Sequence, residues 1–191
     1  MFYARKKRIS RLFYASLGIL LFFSIIIFSL TEKASGSVPN KELPLPVHNQ
    51  SISENALSYF TNKQRTEHGL LALRNNFALQ KAAQNKAEDM AKKEYFSHLS
   101  PEGKTPWYWI EKSSYNYSSA GENLAAKFSD PEILVSRWMD SQAHRENILN
   151  SNFEDFGIGI AKGNYEGKKT LYVVEMYGQA KKNISGFSGI H

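Results

Sequence analysis

The sequence predicts an α+β domain, because helical patterns fill its first part and two strand patterns joined by a short turn close it. The 191 residues include 42% hydrophobic and 22% charged residues, a balance typical of one folded domain with appended segments. The chain contains no cysteine. This excludes a disulfide framework, a thiolate zinc site, a cysteine nucleophile and a lipid-modified N-terminal cysteine.

A charge-free run of 19 residues, Leu12 to Leu30, follows a basic arm over residues 1–11. A helix of that length spans roughly 28 Å, close to the hydrocarbon core of a bilayer, and the run lacks the polar stripe of a soluble helix. We therefore predict a transmembrane signal anchor over 12–30, with the basic arm in the cytoplasm and the C-terminal domain outside. A cleaved signal peptide, which would release a secreted domain, is the alternative.

Residues 31–50 are predicted to form a linker, because Pro39, Pro44 and Pro46 oppose helix and sheet. The folded domain is predicted over 51–178 and a flexible tail over 179–191. Five of the six net positive charges lie in the first 31 residues, so the domain itself is nearly neutral. It has no electrostatic reason to bind nucleic acid, and the cytoplasmic membrane is its predicted neighbour.

Two helices are predicted at the start of the domain. Ser51 and Glu54 have capping-box spacing, and Gly69 stands where the first helix would end. Asn76 can cap a second helix that runs to about Lys93. Small alanines recur at helical spacing in this second helix, so it can pack closely against another element.

The middle of the domain is predicted to alternate between connections and short elements. Residues 94–119 read as a long polar and aromatic connection, and residues 120–125 read as a short extended segment. A helix is predicted to start at Asp130, where a capping carboxylate precedes a proline. Ser141 is predicted to begin another short helix that continues through Leu149.

Two strands are predicted at the end of the domain. Phe156 to Ala161 alternates large apolar residues with glycine and alanine, and Thr170 to Tyr177 is rich in β-branched and aromatic residues. Residues 164–167 form the predicted turn between them. Because the glycines fall on one face of the first strand, that face leaves room for another element to approach closely.

Three polar segments carry residues that packing does not require, and they contain His98, Glu122 and His144. Two imidazoles and a carboxylate can bind a divalent metal such as zinc or form a general acid/base set. The two histidines lack the i, i+4 spacing of a metalloprotease helix, so spacing does not decide whether they meet. Each histidine is equally compatible with a hydrogen-bonded loop or helix-end position.

Taken in order, these segments resemble the CAP superfamily of cysteine-rich secretory proteins, venom antigens and pathogenesis-related proteins, and in particular its cysteine-free bacterial branch. The matching pieces cover roughly residues 53–178. They are Asn62–Arg65 with His68–Leu70 and Leu73, Ala87–Ala91, Tyr95–His98 with Ser100–Gly103, Gly121–Ala125, Trp138–Ser141 with His144–Leu149, Phe156–Gly159 and Tyr172–Val174.

The resemblance implies an α-β-α sandwich with a small antiparallel sheet, and a surface cleft lined by two histidines and two acidic residues. His98 matches the first histidine, Glu122 the first acid and His144 the second histidine. Ser141 stands where the second acid is expected, so this chain's cleft holds one carboxylate fewer. Glu175, in the last predicted strand, is a candidate substitute.

From these features we expect a membrane-tethered extracellular protein that binds a small molecule, a lipid or a cell-envelope component in the cleft. The alternative is a metal-assisted hydrolase acting on peptide or envelope polymer, with His98 and His144 as possible zinc ligands. A cleft that only stabilises the fold through buried His–Glu hydrogen bonds is the third reading. We assign no catalytic residue.

Overall fold

The computed structural model describes residues 51–181, so the predicted arm, anchor and linker and most of the predicted tail lie outside the described residues. None of the helices within 51–181 has the length and apolar character that crossing a membrane requires. The elements in chain order are α1 (Glu54–Glu67), β1 (Arg74–Asn75), α2 (Phe77–Lys93), α3 (Pro106–Lys112), β2 (Tyr117–Ala126), α4 (Pro131–Asp140), α5 (Gln142–Ile148), β3 (Asp155–Tyr165) and β4 (Lys168–Ala180).

The four strands form one mixed sheet in the order β1-β3-β4-β2. The hairpin β3–β4 is antiparallel, as is the pair β2–β4, whereas β1 pairs parallel with β3. The expectation of a purely antiparallel sheet was therefore wrong at one edge. The physical reason is the long path through α2 to α5 between β1 and β3, which gives the chain room for the crossover that a parallel pair needs.

Helices cover both faces of the sheet and enclose two apolar cores. One core joins α1, α4 and α5 to the sheet and includes Leu57, Leu134 and Trp138. The other joins α2 and α3 to the opposite face and includes Leu79 and Met90. This arrangement confirms the layered α+β architecture.

The predicted helix starts are confirmed at three positions and shifted at one. Ser141 is the N-cap residue of α5, as predicted. Asn76 caps α2 by accepting hydrogen bonds from the amides of Ala78 (3.0 Å) and Leu79 (3.3 Å). Asp130 caps α4 in the same way, through the amide of Ile133 at 2.9 Å. The first helix is capped by Ser53 rather than Ser51.

Part of the predicted connection over 94–119 is regular structure. Residues 106–112 form α3, and β2 already begins at Tyr117. With only seven residues, α3 is too short to show a helical period in the sequence. It is held in place because Trp109 and Ile110 are buried against α2 and the sheet.

The glycines of β3 allow α2 to pack directly on the sheet, which confirms the expected close approach. A Cβ atom built on Gly157 would lie 2.0 Å from the backbone nitrogen of Gln80. One built on Gly159 would lie 2.2 Å from the carbonyl carbon of Ala83. No side chain fits in either space, so these two positions set the distance between helix and sheet.

The last strand passes the boundary predicted at residue 178. β4 continues to Ala180, and the amide of Lys181 donates to the carbonyl of Asn116 at 2.9 Å. The first residues of the predicted tail are therefore part of the sheet. They remained hidden in the sequence because Gln179 and Ala180 carry little of the β-branched or aromatic character that marks a strand.

Candidate functional site

The structure brings His98 and Glu122 into direct contact. His98 lies in the loop after α2, Glu122 lies on β2, and the distance between Nδ1 and Oε1 is 2.6 Å. The imidazole is 57% exposed, whereas the carboxylate is only 2% exposed. A buried carboxylate thus fixes the orientation of a largely exposed imidazole.

Burial and the hydrogen bond both affect the protonation of this pair. Burial raises the pKa of Glu122, although His98 and the ammonium of Lys86 oppose that shift. The hydrogen bond to Glu122 raises the pKa of His98 above its ordinary value. The second carboxylate oxygen of Glu122 is buried and has no hydrogen-bond partner within residues 51–181.

Lys86 is a site residue that the sequence analysis missed. Its side chain is fully buried under the loop, and its Nζ donates to the carbonyls of Ser97 (2.8 Å) and His98 (3.1 Å). It also donates to the hydroxyl of Tyr95 at 3.1 Å. The available signal was a lysine placed among the alanines on the apolar face of α2, where a cation needs a dedicated partner.

The rest of the loop is attached to α2 by a chain of polar contacts. The Tyr95 hydroxyl donates to Asp89 at 2.7 Å, and Lys93 contacts both Asp89 (2.6 Å) and Glu102 (2.8 Å). The Ser100 hydroxyl accepts hydrogen bonds from the amides of Glu102 and Lys104. The loop that presents His98 is therefore fixed to one helix.

His144 lies on α5, which packs on the α1 face of the sheet, whereas α2, the helix before the His98 loop, packs on the opposite face. Its backbone carbonyl accepts a hydrogen bond from the Asn123 side chain at 3.1 Å, and its ring centroid is 6.4 Å from that of Trp138. Burial lowers the pKa of His144, and the charge of His98 lowers it further. The ring is therefore neutral at pH 7 and can accept a hydrogen bond through one nitrogen.

Asn147 on α5 and Trp138 on α4 attach these two helices to the outer edge of β2. Asn147 donates to the carbonyl of Glu122 at 3.0 Å and to the side chain of Asn123 at 2.8 Å. The indole of Trp138 donates to the carbonyl of Leu124 at 3.0 Å. These bonds satisfy carbonyls that an edge strand would otherwise expose, and they hold α5 beside Glu122.

Ser141 and Glu175 do not supply a second carboxylate to an open cleft. Ser141 forms the junction of α4 and α5, where its amide donates to the carbonyl of Trp138 at 3.2 Å. Glu175 is completely buried on the α1 side of the sheet, where Thr61 donates to its Oε2 at 3.1 Å. The proposed substitution by Glu175 was therefore wrong, because register with Asn123 turns this side chain into the core.

Glu175 provides a prediction about pH. Burial raises its pKa to about 8, whereas an unfolded glutamate titrates near about 4.3. When the pH lies between these two pKa values, Glu175 keeps a proton in the folded chain and releases it in the unfolded chain. The unfolding free energy should therefore decrease as the pH rises from about 5 to about 8. Glu175 by itself should contribute up to about 1.4 kcal/mol per pH unit to this slope. Urea denaturation across this range measures it.

Glu175→Gln removes the titrating group while keeping its size, so the slope should become shallower in that variant by the contribution of Glu175, and the remaining slope belongs to groups such as Glu122 and His98, whose pKa values are also raised. Glu146→Gln changes an exposed glutamate of α5 and serves as the control, because it should retain the wild-type slope. Equal slopes in the wild type and Glu175→Gln would contradict the assignment.

The residues described here do not form a complete zinc site. No group of three His, Asp or Glu side chains that could hold a metal occurs within residues 51–181. His98 and His144 alone fall short of the three protein ligands of a typical catalytic zinc site, and one oxygen of Glu122 is already bonded to His98. We therefore derive no metal-dependent step.

Comparison with known proteins agrees with this fold. The model of the Cysteine-rich secretory protein family, CAP, matches residues 59–177. The chain belongs to the CAP family. Its CAP domain is 39% identical over 112 residues to Bacillus subtilis YkwD, covering 59% of this chain and 44% of YkwD. It is 32% identical over 116 residues to Bacillus subtilis YlbC, named a membrane protein, covering 61% of this chain and 34% of YlbC.

Solved structures of CAP relatives share the architecture. An extracellular SCP-domain protein from Bacillus anthracis is 28% identical with a TM-score of 0.56, over 66% of this chain and 40% of that one. An outer surface protein of Borrelia burgdorferi is 22% identical with a TM-score of 0.58, over 70% of this chain and 99% of that one, and supports the fold alone. This CAP chain spans less than half the length of both curated relatives.

Proposed function

We propose that this CAP protein is a membrane-tethered extracellular binding module that recognises a small molecule, a lipid or a cell-envelope component through His98, Glu122 and His144. The observation that carries the proposal is the 2.6 Å contact between an exposed imidazole and a buried carboxylate. Such a pair holds a polar group at the surface in one orientation, so little conformational entropy is lost when a ligand binds.

The surroundings of His98 favour a ligand with both polar and apolar parts. Phe96 and Leu99, on the same loop, are 37% and 52% exposed. Lys86 and the contacts around Asp89 keep this loop attached to α2. A ligand can therefore direct a polar group to Nε2 of His98 and place an apolar part against the neighbouring side chains.

The names of two relatives support the proposed location. The Bacillus anthracis relative is described as extracellular, and YlbC is described as a membrane protein. Both agree with an exported domain behind the charge-free run at residues 12–30. Cleavage of that run would leave the same domain secreted.

Direct binding measurements test the proposal. The full chain in nanodiscs would be titrated with envelope lipids and with soluble peptidoglycan fragments, and bound ligand would be quantified. We expect saturable binding to one of these probes, weakened about 10- to 100-fold in His98→Ala, which removes the imidazole, and in Glu122→Gln, which replaces its carboxylate partner by a neutral amide.

His68→Ala is the matched control, since His68 lies at the C-terminal end of α1 and, within residues 51–181, its ring hydrogen-bonds only with the carbonyl of Gln64. It should bind like the wild type, and thermal unfolding should show that all variants are folded. Absence of saturable binding to every probe would contradict the proposal. Cleavage of a probe that depends on His98 would favour the hydrolase instead, with the Glu122–His98 pair as its general base.

A further inference from the structure

A groove of about 1130 Å³ lies at the hairpin end of the sheet, and no cleft residue lines it. We call it the hairpin groove. Its floor consists of Ile52, Phe128, Ile160 and Leu171. The first three pack against the core of α1 and α4 and are only partly buried, so the groove is an open continuation of that core.

Four lysines surround this apolar floor: Lys127, Lys162, Lys168 and Lys169. All four are exposed, and Lys127 pairs with Glu166. The other three form no ion pair with any residue of the described part of the chain. Their positive charges therefore add up across the end of the hairpin.

The groove also lies where the predicted linker joins the domain. Ser51 and Ile52, the first described residues, line it. The linker connects this point to the run predicted to anchor the chain, so the groove lies at the tethered end of the domain. A basic rim around an apolar floor is complementary to anionic headgroups and to the acyl chains beneath them.

We propose that the hairpin groove docks the domain onto the anionic phospholipid surface of the membrane that anchors the chain. The inference rests on the membrane tether of the proposed function, and it is independent of ligand binding by His98. Docking would limit the orientations in which the tethered domain presents its cleft.

The absence of cysteine allows a direct test, because a single introduced cysteine can be labelled in the full chain. Ser129→Cys places a fluorophore in the hairpin groove, and Ser151→Cys places one beyond the opposite end of β3. Each labelled chain would be reconstituted in nanodiscs of phosphatidylcholine alone or of equal parts phosphatidylcholine and phosphatidylglycerol. A quencher attached to the lipid headgroup reports contact with the bilayer.

We expect quenching of the Ser129→Cys label in the anionic nanodiscs only, and no quenching of the Ser151→Cys label in either. A triple variant that combines Lys162→Gln, Lys168→Gln and Lys169→Gln should lower the ratio of docked to undocked chain by about 100-fold. Each lysine near an anionic surface contributes about fivefold to that ratio. The control is a triple variant that combines Lys81→Gln, Lys92→Gln and Lys112→Gln. It removes the same charge from exposed helical positions and should leave the ratio of docked to undocked chain unchanged.

Three results would overturn the inference. In the first, the Ser129→Cys label remains unquenched in both kinds of nanodisc. In the second, it is quenched equally in both, and the triple lysine substitution does not change the quenching. In the third, it is shielded from aqueous iodide in both, which would show that another protein segment fills the groove. If the chain does not stay with the nanodiscs at all, the predicted membrane tether is wrong as well. A failure of ligand binding at His98 is detected separately, by the titration with lipids and peptidoglycan fragments.

Discussion

Gly159→Ala is expected to destabilise the domain by about 3 kcal/mol, the upper end of the usual cost of overpacking a core. The new Cβ would lie 2.2 Å from the backbone of Ala83, and backbone atoms cannot rotate away as a side chain can. The helix α2 would have to move off the sheet, opening the core around Leu79 and Met90. It would also displace Lys86, which holds the carbonyl of His98, so binding should weaken along with stability.

Urea denaturation measures this loss as a lower unfolding midpoint, with an m-value equal to that of the wild type. Gly163→Ala serves as a graded control, because its Cβ would lie 2.9 Å from the nearest atoms of Ala91 near the end of the same helix. It should cost clearly less than Gly159→Ala. An equal or larger loss at Gly163 would contradict the conclusion that the β3 glycines facing the middle of α2 set the distance between this helix and the sheet.

Arg65→Met should cost about 3 kcal/mol or more in unfolding free energy. Arg65 is buried, with 2% of its surface exposed, and its guanidinium donates to the carbonyls of Leu71 (2.9 Å), Ile148 (2.7 Å), Asn150 (3.0 Å) and Phe153 (3.2 Å). Ile148 ends α5, where a cation also complements the helix dipole. Methionine fills similar space but leaves four carbonyls without this donor.

Arg137→Met is the control, because the side chain of Arg137 is 69% exposed and, among the described residues, pairs only with Asp140, at 3.5 Å. Its unfolding free energy should change by less than about 0.5 kcal/mol. A small effect at Arg65, within that control range, would show that water can replace its hydrogen bonds. Because Arg65 supports the end of α5, the variant should also loosen the helix that carries His144.

Local sequence chemistry predicted much of the secondary structure. Asn76 and Asp130 could be identified as helix caps because their side chains bond to amides two or three residues away, a contact that sequence spacing alone defines. The glycine face of β3 was equally readable, since strand alternation places Gly157 and Gly159 on the same side. Spacing could not show which element would occupy that space.

The candidate site was predictable in identity but not in arrangement. The polar segments and their resemblance to CAP proteins indicated His98, Glu122 and His144, and the structure places His98 and Glu122 in contact. Glu175 looked like a possible second acid until the register of β4 placed it in the core. Lys86 read as an ordinary helical lysine, because its partners lie in a loop whose path the sequence does not define.

By itself the sequence determined the helix starts at Asn76, Asp130 and Ser141, the β3–β4 hairpin, the charge-free N-terminal run and the polar residues available for a cleft, because each depends on neighbours within a few positions along the chain. Only the tertiary structure decided the parallel β1, the burial of Glu175, the support of the His98 loop by Lys86 and the lysine-rimmed hairpin groove. Those features depend on which distant segments lie side by side, and therefore on packing across the whole domain.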